Sequence, residues 1–325
     1  MENLIFCLNA TIPVFLLMVL GYVFIRIHVF DEAFAKKMNS FVFKIALPVM
    51  VFHDLWKEDF YEMWDGRYVL FCFVVTILSI GLAWIVARIV VKDVGSRAEM
   101  IQSSYRSSAA LLGIGFIQNI YGESGMASLM IIGAVPLYNV AAVAILEIMK
   151  PDTATKVADL EAEKERKKAL VKKTALGIVT NPIIIGIFLG IIWSLLKLPR
   201  PVILEKTIKY VGNLATPMGL MALGASFDLS KAKKAAAPAI VASVMKLVVL
   251  VAIFLPVAIH MGFRTDQLIA VLIMLGSPTT VSSFVMARNM GHEGTVSSAS
   301  VMITTLACAF TLTAWLYVIK SLGYV

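Results

Sequence analysis

The chain has 325 residues, of which 59% are hydrophobic and only 15% are charged, and its mean hydropathy is +0.86. A soluble globular protein is nearer half apolar and about a quarter charged. The composition therefore excludes an ordinary soluble fold and indicates a chain embedded in a lipid bilayer. The net charge of +8 does not indicate a nucleic-acid partner, because no basic surface is interleaved with exposed aromatic residues.

The first half of the chain contains five apolar stretches of roughly 20 residues, the length at which a helix crosses a bilayer. They are residues 8–27, 38–56, 68–91, 99–120 and 126–149. The start of the chain, Met1-Glu2-Asn3, lacks the basic residues of a signal peptide, and we therefore expect the first stretch to be retained as a membrane span.

Residues 150–173 form a long polar stretch, with a run of alternating charges from Glu161 to Lys168. This composition is typical of a solvated cytoplasmic helix. We interpret it mainly as a linker between the two halves, residues 1–149 and 174–325, and a role at the lipid surface is the alternative.

The second half repeats the pattern with five more apolar stretches, which are residues 174–196, 205–227, 235–260, 266–289 and 296–320. Most of the 29 Lys and Arg residues lie in the loops that follow odd-numbered spans. By the positive-inside rule these loops are cytoplasmic. The pattern predicts a multi-pass protein of the cell membrane with both termini on the extracytoplasmic side, although the loop after the sixth span, with four basic residues, runs against the rule.

An odd number of spans in each half predicts that the second half is inserted upside down relative to the first, as in many secondary transporters. Weak internal symmetry agrees with this prediction. Asn9 and Pro13 in span one are matched by Asn181-Pro182 in span six, and Leu47-Pro48 in span two by Thr216-Pro217 in span seven. The predicted fold is all-α, with ten transmembrane helices in two inverted five-helix repeats.

The fourth span of each half is rich in hydroxyl groups and predicted to be broken. Span four contains Arg106-Ser107-Ser108 and then Gly113-Ile114-Gly115, and span nine contains Gly276-Ser277-Pro278-Thr279-Thr280. A helix unwinds within a membrane only where its free backbone groups line a cavity or are buried in protein. The amides at the start of a half-helix suit a carboxylate, and two breaks that meet predict a substrate site.

Charged residues within the spans are the sharpest functional signals. Arg106 in span four is expected either to face a cavity and pair with a carboxylate or to reach the cytoplasmic interface. Lys246 in span eight and Lys44 in span two are expected to balance charge or to extend to the interface. Acids appear scarce, with Asp54 and Glu147 near span ends, which argues against a cation antiporter built on paired carboxylates.

Polar residues in span five and the scattered histidines complete the candidates. Tyr138 and Asn139 follow Pro136 in an apolar run, where substrate contact and interhelical hydrogen bonding are equally good interpretations. The four histidines and three cysteines show no metal-ligand or nucleophile–base spacing, which indicates no enzyme, no metal site and no cofactor. They are His28, His53, His260 and His292, and Cys7, Cys72 and Cys308.

Several short motifs, in order along nearly the whole chain, resemble the auxin efflux carrier family, including its bacterial members proposed to move malate or malonate. These are Phe43-Lys44-Ile45-Ala46-Leu47-Pro48, Arg106 to Gly115, Asn181-Pro182, Gly219 to Gly224, and Pro278 to Ala287. The resemblance implies a fold similar to that of bile-acid and sodium/proton transporters, with crossing helices four and nine, a scaffold part and a mobile transport part. This sequence departs from the family at Ser108, where relatives commonly have Asn, and at Gly115, where they have Pro.

These features predict a secondary transporter for a small organic anion, most plausibly a carboxylate, that binds where spans four and nine cross. The expected substrate-binding residues are Arg106, Ser107, Ser108, Gly113, Gly115, Asn139, Lys246, Ser277, Pro278, Thr279 and Thr280. The alternative is a membrane-embedded ligand sensor without net transport. The coupling ion, H⁺ or Na⁺, and a homodimeric state are left open.

Overall fold

The computed structural model describes residues 2–56, 65–109, 126–150, 176, 179–227 and 235–325, and within these ranges every regular element is a helix. Three helices of the first half begin directly after an acidic capping residue. Asp31, Asp65 and Asp93 each accept a hydrogen bond from a backbone N–H in the first turn that follows, as N-cap residues do. The helices are α1 Glu2–Arg26, α2 Glu32–Trp56, α3 Gly66–Val90, α4 Val94–Tyr105 and α5 Ala127–Ile148.

The second half begins with a helix that Asn181 caps through its side chain and that has Pro182 as its first residue, where a missing N–H costs nothing. The helices are α6 Pro182–Leu195, α7 Val202–Asn213, α8 Ala215–Ala225, α9 Ala236–His260, α10 Thr265–Gly276, α11 Ser282–Asn289 and α12 Thr295–Ser321.

Five of the described helices are long and apolar enough to cross a bilayer: α2, α3, α5, α9 and α12. The three 25-residue helices among them reach about 37 Å at 1.5 Å per residue, which exceeds the roughly 30 Å hydrocarbon thickness. Outward-facing apolar side chains such as Leu70, Ile77 and Ile85 on α3 are exposed. Lipid is the solvent that such a surface requires, so the chain is a multi-pass membrane protein.

The predicted spans 38–56, 68–91, 126–149, 235–260 and 296–320 each coincide with one of these five helices, and their existence is confirmed. The predicted break in span nine is also confirmed, because α10 ends at Gly276 and α11 begins at Ser282. In span four, α4 ends at Tyr105 and the backbone of Arg106 is extended. Residues 110–120 of that span, with Gly113 and Gly115, lie outside the described residues, as does the 150–173 linker apart from Lys150.

Two pairs of helices approach unusually closely through glycines. In the pair α1–α8, a Cβ added at Gly21 would overlap the carbonyl group of Met221, and one added at Gly224 would overlap that of Met18. In the pair α2–α6, Gly186 and Gly190 lie against the backbone of the α2 segment 48–52. Small residues allow this approach of membrane helices, whose association depends on packing rather than on the hydrophobic effect.

The two halves share an order of elements around their broken helices. In the first half, the 25-residue α3 is followed by a short link and the 12-residue α4, and in the second half the 25-residue α9 is followed by a short link and the 12-residue α10. Both 12-residue helices end in an extended residue, Arg106 and Ser277 respectively. The order and lengths agree with a repeat, and the inverted arrangement stays a prediction.

Candidate functional site

The two helix breaks meet inside the protein. The backbone N–H of Ser108, after α4, donates to the carbonyl of Pro278, after α10, at 2.9 Å. The Thr279 hydroxyl donates to the carbonyl of Ser103 in the last turn of α4 at 2.7 Å. The free backbone groups at one break are therefore satisfied by the other, which is the condition under which irregular backbone persists at membrane depth.

Arg106 lies at this junction and points inward, since only 1% of it is exposed. Its Nη2 donates to Asn139 Oδ1 on α5 at 2.8 Å and to Ser282 Oγ at the start of α11 at 2.7 Å. Its Nη1 donates to Gln102 Oε1 at 3.2 Å and approaches the sulfur of Met286 at 3.0 Å. The guanidinium thus joins α4, α5 and α11 and does not extend to the interface.

No carboxylate among the described residues neutralises Arg106, since its hydrogen-bond acceptors are neutral oxygens and a sulfur. Its Nε has no hydrogen-bond partner, and the same is true of the buried hydroxyls of Ser277 and Ser283 in the described part of the chain. A buried charge without a counter-charge is costly, and an unsatisfied buried donor adds about 1–3 kcal/mol. An anion bound here would relieve both costs.

The carbonyl oxygen of Met274, in the last turn of α10, is a second point in the junction where several hydrogen bonds meet. It accepts from the hydroxyl of Ser107, from Tyr138 Oη at 3.2 Å and from Lys246 Nζ at 3.1 Å. Lys246 Nζ also donates to the Leu275 carbonyl at 2.6 Å. The last carbonyls of a helix lack intrahelical partners and carry the negative end of its dipole, so the Lys246 ammonium caps α10.

The hydroxyl residues after α10 extend these contacts to the neighbouring helices. The N–H of Thr279 donates to Thr304 Oγ1 on α12 at 3.0 Å. The Thr280 hydroxyl lies 3.2 Å from that of Ser282, which itself accepts from Arg106. Thr280 therefore contacts the residue that holds the guanidinium, whereas Thr279 fixes the backbone of the break.

A model of a protein family described as "Membrane transport protein" matches residues 6–316 of the chain. The chain belongs to this membrane transport protein family. Over 96% of both chains it is 25% identical to a Rhizobium meliloti protein named "Putative malonate transporter". It is 20% identical to an "Uncharacterized transporter" of Methanothermobacter thermautotrophicus, over 94% of this chain and 96% of the relative. The match confirms the resemblance to the auxin efflux carrier family and places the protein among transporters rather than enzymes.

In this membrane transport protein, most of the predicted site residues lie around the junction. Asn139 accepts a hydrogen bond from the Arg106 guanidinium, and Thr280 contacts Ser282, which also accepts from it. Ser107 and Lys246 bind the end of α10. Ser108, Ser277, Pro278 and Thr279 form the two breaks. Lys44, which is not among the predicted substrate-binding residues, is exposed on α2.

Sequence reasoning missed Glu99 and Gln102. Both are buried on α4, directly before Arg106. The spacing of three residues from Glu99 to Gln102 and of four from Gln102 to Arg106 is the signal that could have found them. Glu99 was missed because the predicted span began at that residue, where an acid suggests a helix end. The inventory of acids within the spans was incomplete for this reason.

Proposed function

We propose that this membrane transport protein is a secondary carrier for a small carboxylate. The observation that carries the proposal is the buried guanidinium of Arg106, which lies between two helix breaks and has neutral hydrogen-bond acceptors. A guanidinium binds a carboxylate through two parallel hydrogen bonds. The relative named for malonate supports a small carboxylate as the cargo.

The carrier works by alternating access between two inverted five-helix repeats, residues 1–149 and 174–325. One support is that α3–α4 in the first half and α9–α10 in the second half have the same order and lengths. The other is that the first span of each half packs on the second span of the other half. Span one packs on span seven, as α1 on α8, and span six packs on span two, as α6 on α2. These two glycine-mediated pairs form the scaffold, and the helices around the junction form the mobile part.

The test is counterflow of radiolabelled malonate in proteoliposomes loaded with unlabelled malonate, malate or acetate. We expect saturable exchange by the wild-type protein. Replacement Arg106→Gln should reduce exchange by about 100-fold, because a charge-assisted hydrogen bond contributes roughly 1.5–3 kcal/mol. Arg106→Lys should retain part of the exchange, since the charge remains but the planar pair of donors is lost.

The matched control is Arg88→Gln, which removes an arginine exposed at the end of α3 and should leave exchange unchanged. The purified variants are compared by gel filtration to separate loss of function from loss of folding. Wild-type protein that exchanges no mono- or dicarboxylate contradicts the proposal. Saturable binding without counterflow would instead favour the ligand sensor.

A further inference from the structure

Glu99 on α4 is the one Asp or Glu side chain that is buried among the residues the structure describes, with 2% exposed. Its Oε1 accepts from the backbone N–H of Gly294 at 2.7 Å, and its Oε2 accepts from that of Ser297 at 3.0 Å. These amides belong to the start of α12. The carboxylate therefore joins α4 to α12, and the anion site proposed above does not use it.

Among the residues that the structure describes, Glu99 has no cationic partner. No Lys, Arg or His nitrogen in the described ranges lies within 4.0 Å of its oxygens. An ionised carboxylate that is removed from water without a counter-ion is unfavourable and gains from protonation. Its present partners are two N–H dipoles, which favour the charged form only while the start of α12 stays in contact.

The charged neighbours on its own side of the fold are engaged elsewhere. Asp93 precedes α4 and accepts from the Ser96 backbone N–H at 2.7 Å, and this bond lowers the pKa of Asp93 below its ordinary value. Arg97 donates to the Val91 and Lys92 carbonyls. Asp93 thus stays ionised at neutral pH and is a poor acceptor for a proton.

The turn between α11 and α12 contributes three further groups. Arg288 donates to the Glu293 carbonyl at 3.0 Å, and the Glu293 side chain is exposed. His292 is buried, and its Nε2 lies 2.8 Å from the Leu146 carbonyl on α5. None of these three groups hydrogen-bonds to Glu99.

The other helices packed around α4 add few charges in the described residues. Lys246 on α9 is bound to the end of α10. Glu147 at the end of α5 is half-buried, and Arg88 at the end of α3 and Lys150 after α5 are exposed. Glu99 is consequently the acid that α4 places in the interior.

A chain of hydrogen bonds connects Glu99 with Arg106. Ser297 donates its N–H to Glu99 and accepts at Oγ from Gln102 Nε2 at 3.4 Å, and Gln102 Oε1 accepts from Arg106. Gln102 Nε2 also donates to the Ser283 carbonyl at 2.9 Å, which fixes the amide between the two charges. Seven residues separate Glu99 from Arg106, or about 10 Å along a helix.

The two charges influence each other because both are buried, where the effective dielectric constant is low. While the anion site is empty, ionised Glu99 supplies a distant, partial balance to the charge of Arg106 without contact with the guanidinium. When an anion binds to Arg106, that balance is supplied locally, and the negative charge of Glu99 becomes unfavourable. Anion binding then favours protonation of Glu99, and by thermodynamic reciprocity protonation favours anion binding.

We propose that Glu99 is a proton-binding site that couples the transmembrane proton gradient to movement of the anion held at Arg106. One proton travels with each anion, is taken up on the more acidic side, and is released on the other side when the contact between α4 and the start of α12 opens. The inference rests on the proposed carrier function and names its coupling ion.

The experiment uses proteoliposomes with [¹⁴C]malonate and the membrane potential clamped at zero by valinomycin with equal K⁺ on both sides. The pH is about 6.5 outside and about 7.5 inside, where carboxylates remain largely ionised. The wild-type protein should concentrate malonate about tenfold, since each proton carried across one pH unit contributes a tenfold ratio. Glu99→Gln should abolish concentrative uptake while counterflow at equal pH stays within about threefold of the wild type.

The matched control is Glu293→Gln, an exposed glutamate near the same turn, which should concentrate malonate like the wild type. Glu99→Asp should retain concentrative uptake with a shifted pH of half-maximal rate, because the shorter carboxylate contacts α12 differently. If Glu99→Gln does not fold, Glu99→Asp is the deciding variant. An unshifted pH of half-maximal rate in Glu99→Asp then overturns the inference.

Concentrative uptake by Glu99→Gln overturns the inference, as does wild-type exchange that the pH gradient does not drive. Absence of wild-type exchange at equal pH contradicts the carrier function instead, so the two failures are distinguishable.

Discussion

A buried lysine at a transport site can stabilise the fold or bind the substrate, and Lys246 is such a residue. Its ammonium is fully buried and donates to two carbonyls in the last turn of α10. A cation at the C-terminal end of a helix is stabilised by the dipole and by the unpaired carbonyls. Lys246 therefore holds the break in span nine in position, and its contact with the anion stays a prediction.

We predict that Lys246→Met destabilises the protein by about 2 kcal/mol, because it removes one charge–dipole interaction and two hydrogen bonds to a charged donor. Lys246→Arg should keep more than half of the stability that Lys246→Met loses. The measurement is thermal unfolding in detergent by intrinsic tryptophan fluorescence. Unchanged unfolding of Lys246→Met together with loss of malonate binding would assign Lys246 to the substrate instead.

The sequence could identify Arg106 as a candidate because an arginine within an apolar stretch is rare. Its partners could not be predicted. Asn139 lies 33 residues away and Ser282 176 residues away, so their contacts depend on how three helices pack. The same holds for Lys246, whose role depends on where α10 ends.

At the scale of the helices, close packing of backbone against backbone holds the scaffold helices together. Gly224 on α8 lies against the Met18 carbonyl and Gly21 on α1 lies against that of Met221, so each helix contributes one glycine to the contact. Hydropathy predicted α1 as one span, but it placed α8 and most of α7 in a single span, 205–227, which the structure divides at Leu214. The glycine contacts depend on which helices become neighbours, and the sequence left that pairing open.

Gly224→Ala should lower the unfolding temperature by several degrees, since the new methyl group meets backbone that cannot move without separating α1 from α8. The control is Gly81→Ala on α3, where an added Cβ has no heavy atom within 4 Å. That change should be neutral or stabilise by up to about 1 kcal/mol through helix propensity. Equal effects of the two substitutions in a thermal-shift assay would contradict close packing of α1 and α8.

At the scale of the whole molecule, alternating access requires the junction helices to move against the scaffold. The two groups touch where Gly219 on α8 faces Val281 at the start of α11, because a Cβ added at Gly219 would lie 2.9 Å from Val281 Cγ1. On the scaffold side, α7 packs against α2, and a Cβ added at Gly212 on α7 would lie 3.6 Å from Met50 Cβ on α2. This Cβ–Cβ separation lies in the range of a disulfide, and in the other pair Val281 Cγ1 marks where the sulfur of a cysteine would lie beside the new Cβ.

We predict that oxidation of the pair Gly219→Cys/Val281→Cys stops counterflow, whereas oxidation of Met50→Cys/Gly212→Cys leaves it at more than half of the reduced rate. Both pairs are made in a background without the three native cysteines. Malonate counterflow is measured before oxidation, after oxidation and after reduction. Full activity of the oxidised Gly219/Val281 pair would mean that this contact does not move during transport.

The convergence of donors at the end of α10 has a consequence for ion selectivity. Carriers that use sodium hold it with carbonyl oxygens of unwound segments and of the C-terminal ends of half-helices, and the Met274 carbonyl, in the last turn of α10, is of the second kind. Here Ser107, Tyr138 and Lys246 already occupy it, and the third of these is an ammonium. An alkali cation at this oxygen would have to displace the Lys246 side chain, so we expect this end of the helix not to hold sodium in the conformation described.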